Sequence, residues 1–122
     1  HPAPLHVPKE EGARHLFDPS DLCGPALAVQ PGAFYCAAEC QVAPGDVVVL
    51  STDGLCCAKN DKGEKFGQDR LLDSARCLEQ EMLGGIFQGL EDSAMAFIGG
   101  GAFTDDVCLV GFQLRRLLSS AM

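Results

Sequence analysis

Hydrophobic and polar residues change their spacing twice along this chain, and a short apolar run near its middle is the clearest element. Residues 47–50 are consecutive apolar residues, mostly β-branched, between the turn residues Pro44-Gly45 and Asp53-Gly54. A short apolar run bracketed by turn signals is typical of a strand that is buried on both faces. The sequence therefore predicts a buried strand that ends beside a carboxylate, Asp53.

The first third of the chain predicts short strands joined by turns. Loosely alternating apolar residues favour strands at residues 3–7, 14–17 and 34–42, and prolines punctuate the segments between them. Strands at this spacing are typical of hairpins, so we expect an antiparallel sheet.

The pattern becomes helical after a polar loop at residues 59–64. Apolar residues then recur at near-helical spacing as far as Gly84-Gly85, which we expect to end a first helix. Residues 86–98 predict a second helix, ended by Gly99-Gly100-Gly101. This triple glycine lacks the Gly-Lys-Ser/Thr ending of a phosphate-cradling loop, so it does not indicate nucleotide binding.

A last strand is predicted at residues 107–112, and residues 114–122 are expected to finish it and fray. The length of the chain fits one domain, over residues 1–122. The predicted fold class is α+β, an antiparallel β-sheet with a helical pair inserted between neighbouring strands.

Carboxylates stand at the ends of two predicted strands. Asp53 follows the strand at 47–50, whereas Asp105 and Asp106 precede the strand at 107–112. If these strands are antiparallel neighbours, the end of one lies beside the start of the other, and the acidic residues converge. Carboxylates that converge repel one another, and a hard divalent cation with oxygen ligands relieves that repulsion. The pattern thus indicates a Mg²⁺ or Mn²⁺ site, with a turn aspartate that caps its own backbone as the alternative for Asp53.

Composition narrows the possible partners. Seventeen acidic and nine basic residues give the chain a net charge of −8, which argues against nucleic acid and against an anionic membrane surface. No apolar run is long enough to span a membrane, and no signal peptide is recognisable. The chain begins at His1 without a methionine, so we expect it to be a piece of a longer protein.

Seven cysteines are an odd number, and several lie in apolar strand or helix patterns. Reduced, mostly buried thiols in a cytoplasmic protein are therefore expected. Cys36 and Cys40 share a face of a predicted strand, but no Cys-x-x-Cys pair or histidine completes a zinc site. A catalytic thiol at Cys56 or Cys57 has no histidine close in sequence to activate it.

Several motifs follow one another in an order that resembles a known family. They are His1-Pro2-Ala3-Pro4-Leu5, Gly24-Pro25-Ala26-Leu27, Pro44-Gly45-Asp46, Ser51-Thr52-Asp53-Gly54, Gly63-Glu64-Lys65-Phe66-Gly67 and Asp105-Asp106-Val107-Cys108-Leu109-Val110. Together they resemble the C-terminal half of the SpoIIE/RsbU-type phosphatase domain, the bacterial branch of the PPM (protein phosphatase 2C-like) serine/threonine phosphatases. The resemblance spans nearly the whole chain.

The resemblance implies an α/β/β/α sandwich with a binuclear Mn²⁺ or Mg²⁺ centre at one end. It implies that Asp53 and Asp105 are direct ligands of one metal, that Asp106 is a supporting or alternative ligand, and that Gly54 is needed for a close turn. The implied activity is hydrolysis of phosphoserine or phosphothreonine on a small regulatory protein, such as an anti-sigma-factor antagonist.

The chain departs from the family pattern at three points. The family's first metal-binding Asp-Gly and its Gly-His-Gly segment have no counterpart here, so we expect this fragment alone to be inactive or nearly so. Cys57 stands where the family commonly has Glu, and Cys108 where it usually has Thr. Besides a working phosphatase, two alternatives stay open. One is a non-catalytic PPM-like module that binds a phosphoprotein, and the other is an unrelated acidic sheet domain whose Asp residues only cap turns. A core left exposed by halving the sandwich also predicts self-association.

Overall fold

A computed structural model of the chain describes residues 2–18 and 24–116. In chain order the elements are β1 (Leu5–Val7), β2 (Arg14–His15), β3 (Val47–Ser51), α1 (Asp53–Cys56), α2 (Gly67–Arg76), α3 (Leu83–Ile98) and β4 (Leu109–Gln113). The α+β class is confirmed, as is a helical pair, α2 and α3, placed between two strands. The short helix α1, which begins at Asp53 itself, was not predicted.

The strands form one antiparallel sheet in the order β2-β1-β3-β4. Val48 in β3 lies opposite His6 in β1 and Phe112 in β4. At one end of the longest pairing, Ser51 lies opposite Leu109. The expectation that β3 and β4 are antiparallel neighbours is therefore confirmed, and the helices between them return the chain to the neighbouring strand.

One face of the sheet packs against α2 and α3 and forms the core. Alternate strand residues point toward the helices because successive side chains in a strand point to opposite faces. The buried apolar cluster includes Leu5, Val7, Val47, Val49, Leu55, Phe66, Leu71, Ala75, Ile86, Leu90 and Ala94. Helix α3 lies so close to β4 that a Cβ at Gly111 would approach Phe87 and Leu83 to within 2.9 Å.

The other face of the sheet is open at its β3–β4 side. Leu50 is 44 % exposed, Val110 58 % and Phe112 49 %. Leu50 lies opposite Val110 in the ladder, so these side chains form one apolar surface, which we call the open face. The prediction of burial on both faces is right for residues 47–49 and wrong for Leu50, because no described residue covers the sheet there.

Strand boundaries in the first third differ from the prediction. Strand β1 begins at Leu5 rather than at residue 3, and β2 ends at His15. Residues 34–42 form no strand, and Phe34 is 94 % exposed. A strand needs a neighbouring ladder for its backbone groups. The segment directly before these residues instead forms local turns, such as the bond from Val29 N–H to Ala26 O.

The helical pair is divided at another place than predicted. Helix α2 ends at Arg76, and Gly84-Gly85 lie in the first turn of α3. Glycine is tolerated there because the first N–H groups of a helix have no carbonyl partner within it. The end of α3 is as predicted, since Gly99 adopts the left-handed conformation (φ +85°) that closes many helices.

The expectation of mostly buried thiols is wrong. Cys56 is buried and Cys57 half-buried, but the other described cysteines, at positions 36, 40, 77 and 108, are exposed. All six are unpaired, and Cys23 lies outside the described residues. His1 and residues 117–122 also lie outside them. Within residues 2–18 and 24–116, no helix is long and apolar enough to cross a bilayer.

Candidate functional site

The acidic residues singled out from the sequence lie at the end of the β3–β4 pair. Strand β3 ends at Ser51, Thr52 follows in an extended conformation, and Asp53 is the first residue of α1. On the neighbouring strand, Asp105 and Asp106 precede the start of β4. We call this end of the sheet the acidic end.

Thr52 joins the two segments of the acidic end. Its backbone N–H donates to the carbonyl of Cys108 at 3.0 Å, and its Oγ1 accepts from the Cys108 N–H at 3.0 Å. The same hydroxyl donates to the Asp106 carbonyl at 3.3 Å. Because these bonds occupy its side chain, Thr52 makes no capping bond to α1, although it stands at the N-cap. The sequence alone gave no sign of this role.

Gly54 is where the two segments touch. A Cβ placed there would lie 3.0 Å from the Asp106 carbonyl carbon and 3.0 Å from Val107 Cγ2, and it would overlap the Asp106 carbonyl oxygen. Gly54 is buried, as are the next two residues of α1. Only a residue without a side chain allows the start of α1 to lie this close to the backbone before β4.

The carboxylates themselves face solvent. Asp53, Asp105 and Asp106 are all exposed, and Asp105 Oδ1 accepts the backbone N–H of Asp106 at 3.0 Å. The structure therefore brings the two acidic segments together, whereas the role of these residues as metal ligands stays a prediction. Carboxylate oxygens suit a hard divalent cation. Among residues 2–18 and 24–116, no group of three or more His, Cys, Asp or Glu side chains could hold an ion.

Cys56 is not suited to nucleophilic chemistry. Burial raises the pKa of its thiol to about 11, and the neighbouring Cys57 and Asp53 add to the shift. The thiolate is the reactive form of cysteine, so at neutral pH Cys56 is protonated and inert.

A second polar cluster lies at the opposite end of β3, where Asp46 precedes the strand. Asp46 Oδ2 accepts from His6 Nε2 at 2.8 Å and from the Ala43 N–H at 2.9 Å, and Oδ1 accepts from the Lys9 N–H at 3.1 Å. Arg14 Nε donates to His6 Nδ1 at 3.4 Å, which leaves the ring proton of neutral His6 on Nε2. Both His6 and Asp46 are buried.

The charge of Asp46 is stabilised by these bonds. Burial alone would raise the pKa of its carboxyl, but the hydrogen bonds from Ala43, His6 and Lys9 outweigh it and hold the pKa below the ordinary value. A cavity of about 560 Å³ borders this cluster, with His6, Arg14 and Asp46 among its walls. It lies at the other end of β3 from the acidic end, so the cavity and the predicted metal ligands are separate features.

The chain is similar to known proteins both in sequence and in fold. It is 26 % identical over 110 residues to Protein IcfG of Synechocystis sp., a match that covers 88 % of this chain but 16 % of that protein. Its fold is similar to that of the SiaA-PP2C domain of Pseudomonas aeruginosa, with a TM-score of 0.58 and 21 % identity over 93 % of this chain and 43 % of that one. The chain thus spans less than half the length of either relative.

The SpoIIE family, described as "Stage II sporulation protein E (SpoIIE)", matches residues 1–115. The match covers both acidic segments and every strand of the sheet. The chain therefore belongs to the SpoIIE family of PP2C-like phosphatase domains.

Proposed function

We propose that this chain supplies part of the metal centre of a PPM-type serine/threonine phosphatase. Asp53 and Asp105 would hold one Mn²⁺ or Mg²⁺ ion, and Asp106 would support them. The observation that carries the proposal is the backbone contact between Gly54 and Asp106, reinforced by Thr52, since it holds the two acidic segments at one end of the sheet. Exposed carboxylates there are open to an ion and to a phosphorylated substrate.

The activity we propose for the complete domain is hydrolysis of phosphoserine or phosphothreonine on a regulatory protein in bacterial, cytoplasmic signalling. When bound, divalent ions of this kind activate water and neutralise charge on the transferring phosphoryl group. The contribution of this chain is to hold Asp53 and Asp105 in place through Thr52 and Gly54. The remaining ligands of a binuclear centre would come from another part of the complete domain, since Asp53, Asp105 and Asp106 do not form a complete ion-binding group among the described residues.

Binding of Mn²⁺ to the chain tests the proposal directly. In a ¹⁵N-labelled sample, substoichiometric Mn²⁺ should broaden the amide signals of residues 53–54 and 105–106 before all others, because paramagnetic broadening falls steeply with distance. Asp53→Asn with Asp105→Asn should weaken Mn²⁺ binding at least about tenfold, as loss of ligand oxygens does.

The matched control removes the same charge elsewhere. Asp61→Asn with Asp69→Asn neutralises two exposed carboxylates outside the acidic end and should leave the broadening pattern unchanged. Broadening spread over the whole acidic surface, or equal losses in the two double variants, would show diffuse attraction and refute the assigned ligands.

The open face predicts a second consequence, association of the chain with a second copy of itself. Leu50, Val110 and Phe112 form an apolar surface on paired strands, and water-exposed apolar area of this kind favours burial against another surface. In analytical ultracentrifugation, the average mass should rise with concentration, and Val110→Thr with Phe112→Ser should suppress the rise.

The control for self-association lies in residues 24–42, which form neither helix nor strand. Leu27→Ser with Val29→Ser removes apolar side chains that are 81 % and 71 % exposed but lie outside the sheet, and self-association should persist. A wild-type chain that stays monomeric at every concentration would contradict the expectation, as would equal suppression by both variants.

A further inference from the structure

The sheet has a basic end as well as an acidic one. Strand β1 ends, β3 begins and β4 ends on the side opposite Asp53, because the three strands are antiparallel neighbours. Lys9 follows β1, and Arg115 and Arg116 follow β4. All three line a shallow cavity of about 390 Å³, and its other walls are Pro44, Gly45, Gln113 and Leu114. We call the three cations of this cavity the basic end.

Among the residues that the structure describes, no carboxylate lines this cavity, which is unusual in a chain with 17 acidic and nine basic residues. In the described part of the chain, none of the three basic side chains forms an ion pair. Like charges gathered in this way repel one another unless an anion joins them. The five residues of β3 span about 17 Å, so the basic end is well separated from the carboxylates of the acidic end.

Backbone pairing holds the basic end in place. Gly45 N–H donates to the Leu114 carbonyl at 2.7 Å, and Leu114 N–H donates to the Asp46 carbonyl at 2.9 Å. These bonds extend the β3–β4 ladder to the residue directly before Arg115. The arginines therefore begin at a fixed point of the sheet.

Lys9 is positioned from the other side. Its backbone N–H is bound by Asp46 Oδ1, and its side chain lies across Gly45, where a Cβ would be only 2.8 Å from Lys9 Cδ. Gly45 also has a φ of +97°, which favours glycine. The aliphatic part of Lys9 thus packs against backbone while its ammonium group stays exposed. Glu79 and Glu81 border a neighbouring cavity that Lys9 shares, but neither forms an ion pair with it.

We propose that the basic end binds a phosphoryl group. A guanidinium presents its N–H donors as a planar fork that matches a phosphate in two-pronged geometry, and an ammonium adds a point charge. Two arginines and one lysine around an open cavity offer both. The group would be either a free phosphate compound or a phosphorylated side chain of a partner protein, bound far from the acidic end and without a metal ion.

Titration of the ¹⁵N-labelled chain in metal-free buffer tests this site independently of the proposed metal centre. Inorganic phosphate should shift the amide signals of Lys9, Gly45 and residues 114–116 in a saturable way, with little effect at residues 53–54. Lys9→Gln with Arg115→Gln and Arg116→Gln should raise the dissociation constant at least about tenfold, because the charges and forks are lost. All three side chains are exposed, so this variant should fold normally.

A matched triple variant separates a built site from general attraction. Lys59→Gln with Lys62→Gln and Lys65→Gln removes the same charge from exposed positions of a hairpin elsewhere and should leave phosphate binding within about twofold of wild type. Equal weakening by the two triple variants, or shifts that never saturate, would overturn the proposal.

Two peptides then identify the source of the phosphoryl group. A phosphoserine peptide that binds far more tightly than inorganic phosphate through the same amides would indicate a phosphorylated partner, and comparable affinities would indicate a small phosphate compound. An unphosphorylated peptide with glutamate in place of phosphoserine should bind much more weakly. If it binds as tightly as the phosphopeptide, the site does not select phosphoryl groups and the proposal fails.

Discussion

Replacing Gly54 by alanine is expected to lower the free energy of unfolding by about 3 kcal/mol, because overpacking against backbone costs this much when nothing can move aside. The added Cβ would overlap the Asp106 carbonyl oxygen and lie 3.0 Å from Val107 Cγ2. A carbonyl cannot rotate away as a flexible side chain can. The start of α1 must therefore separate from the segment before β4, and the acidic end opens.

Gly84→Ala is the matched control for this substitution. Gly84 also lies in a helix, but a Cβ there meets no atom of the described residues within 4 Å, and alanine is the better helix former by up to about 1 kcal/mol. Urea unfolding of the two variants should therefore shift in opposite directions or, for Gly84→Ala, hardly at all. Equal stability of Gly54→Ala and wild type would show that the two segments do not touch as described.

Gly54→Ala also distinguishes two requirements for Mn²⁺ binding at the acidic end, the placement of the carboxylates and their charge. The variant keeps every carboxylate but disturbs their placement, whereas Asp53→Asn keeps the backbone contact and removes a charge. If placement matters, Gly54→Ala should reduce Mn²⁺ binding under conditions in which circular dichroism still shows a folded chain. The backbone contact, rather than acidic composition, is what makes this end of the sheet a candidate site.

The convergence of the acidic segments could be predicted because it depends only on strand order. An apolar run between Pro44-Gly45 and Asp53-Gly54 defines β3, and antiparallel pairing with the next apolar run brings the segment that contains Asp106 beside its end. Side-chain periodicity and turn residues are local signals, and the structure has strands β3 and β4 where these signals predicted them.

Strand order alone does not predict the hydrogen bonds of Thr52 to Asp106 and Cys108. It does not predict the buried pair of His6 and Asp46 either. Both depend on the register of strands far apart in sequence, and a shift of one residue would turn each side chain to the other face. His6 lies opposite Val48, which places its ring over the start of β3 near Asp46. The sequence offers only the hint that a histidine interrupts an apolar strand, between Leu5 and Val7.

The strand at residues 34–42 and the burial of Leu50 were mispredicted for a related reason. Alternation of apolar residues reports a tendency to form a strand, but a strand forms only where a neighbouring edge is free to pair. Burial likewise depends on what covers a face, and Leu50 lacks a cover among the described residues. The local sequence therefore shows the tendency of a segment to form a strand, but it does not show which other segment pairs with that strand or covers its face.

Asp46→Ala should also cost the chain about 3 kcal/mol at neutral pH. The buried His6 ring loses its acceptor, which costs about 1–3 kcal/mol for a buried donor, and the part-buried N–H groups of Lys9 and Ala43 lose theirs as well. Asp61→Ala, an exposed carboxylate of the polar loop, should change stability by less than about 0.5 kcal/mol. Urea unfolding at pH 7 distinguishes the two variants.

The pH dependence of the same substitution tests its cause. The pKa of Asp46 is lowered in the folded chain from an ordinary value of 3.8, so its contribution to stability is fully present above that pH. As pH falls below 3.8, the unfolded chain takes up the proton first, and the contribution is lost as the pH passes through the lower, folded pKa. The stability gap between wild type and Asp46→Ala should therefore be constant near neutrality and shrink in strong acid. A gap that widens on acidification would mean that the charge of Asp46 destabilises the folded chain, and the hydrogen bonds from His6, Lys9 and Ala43 would then not be its stabilising partners.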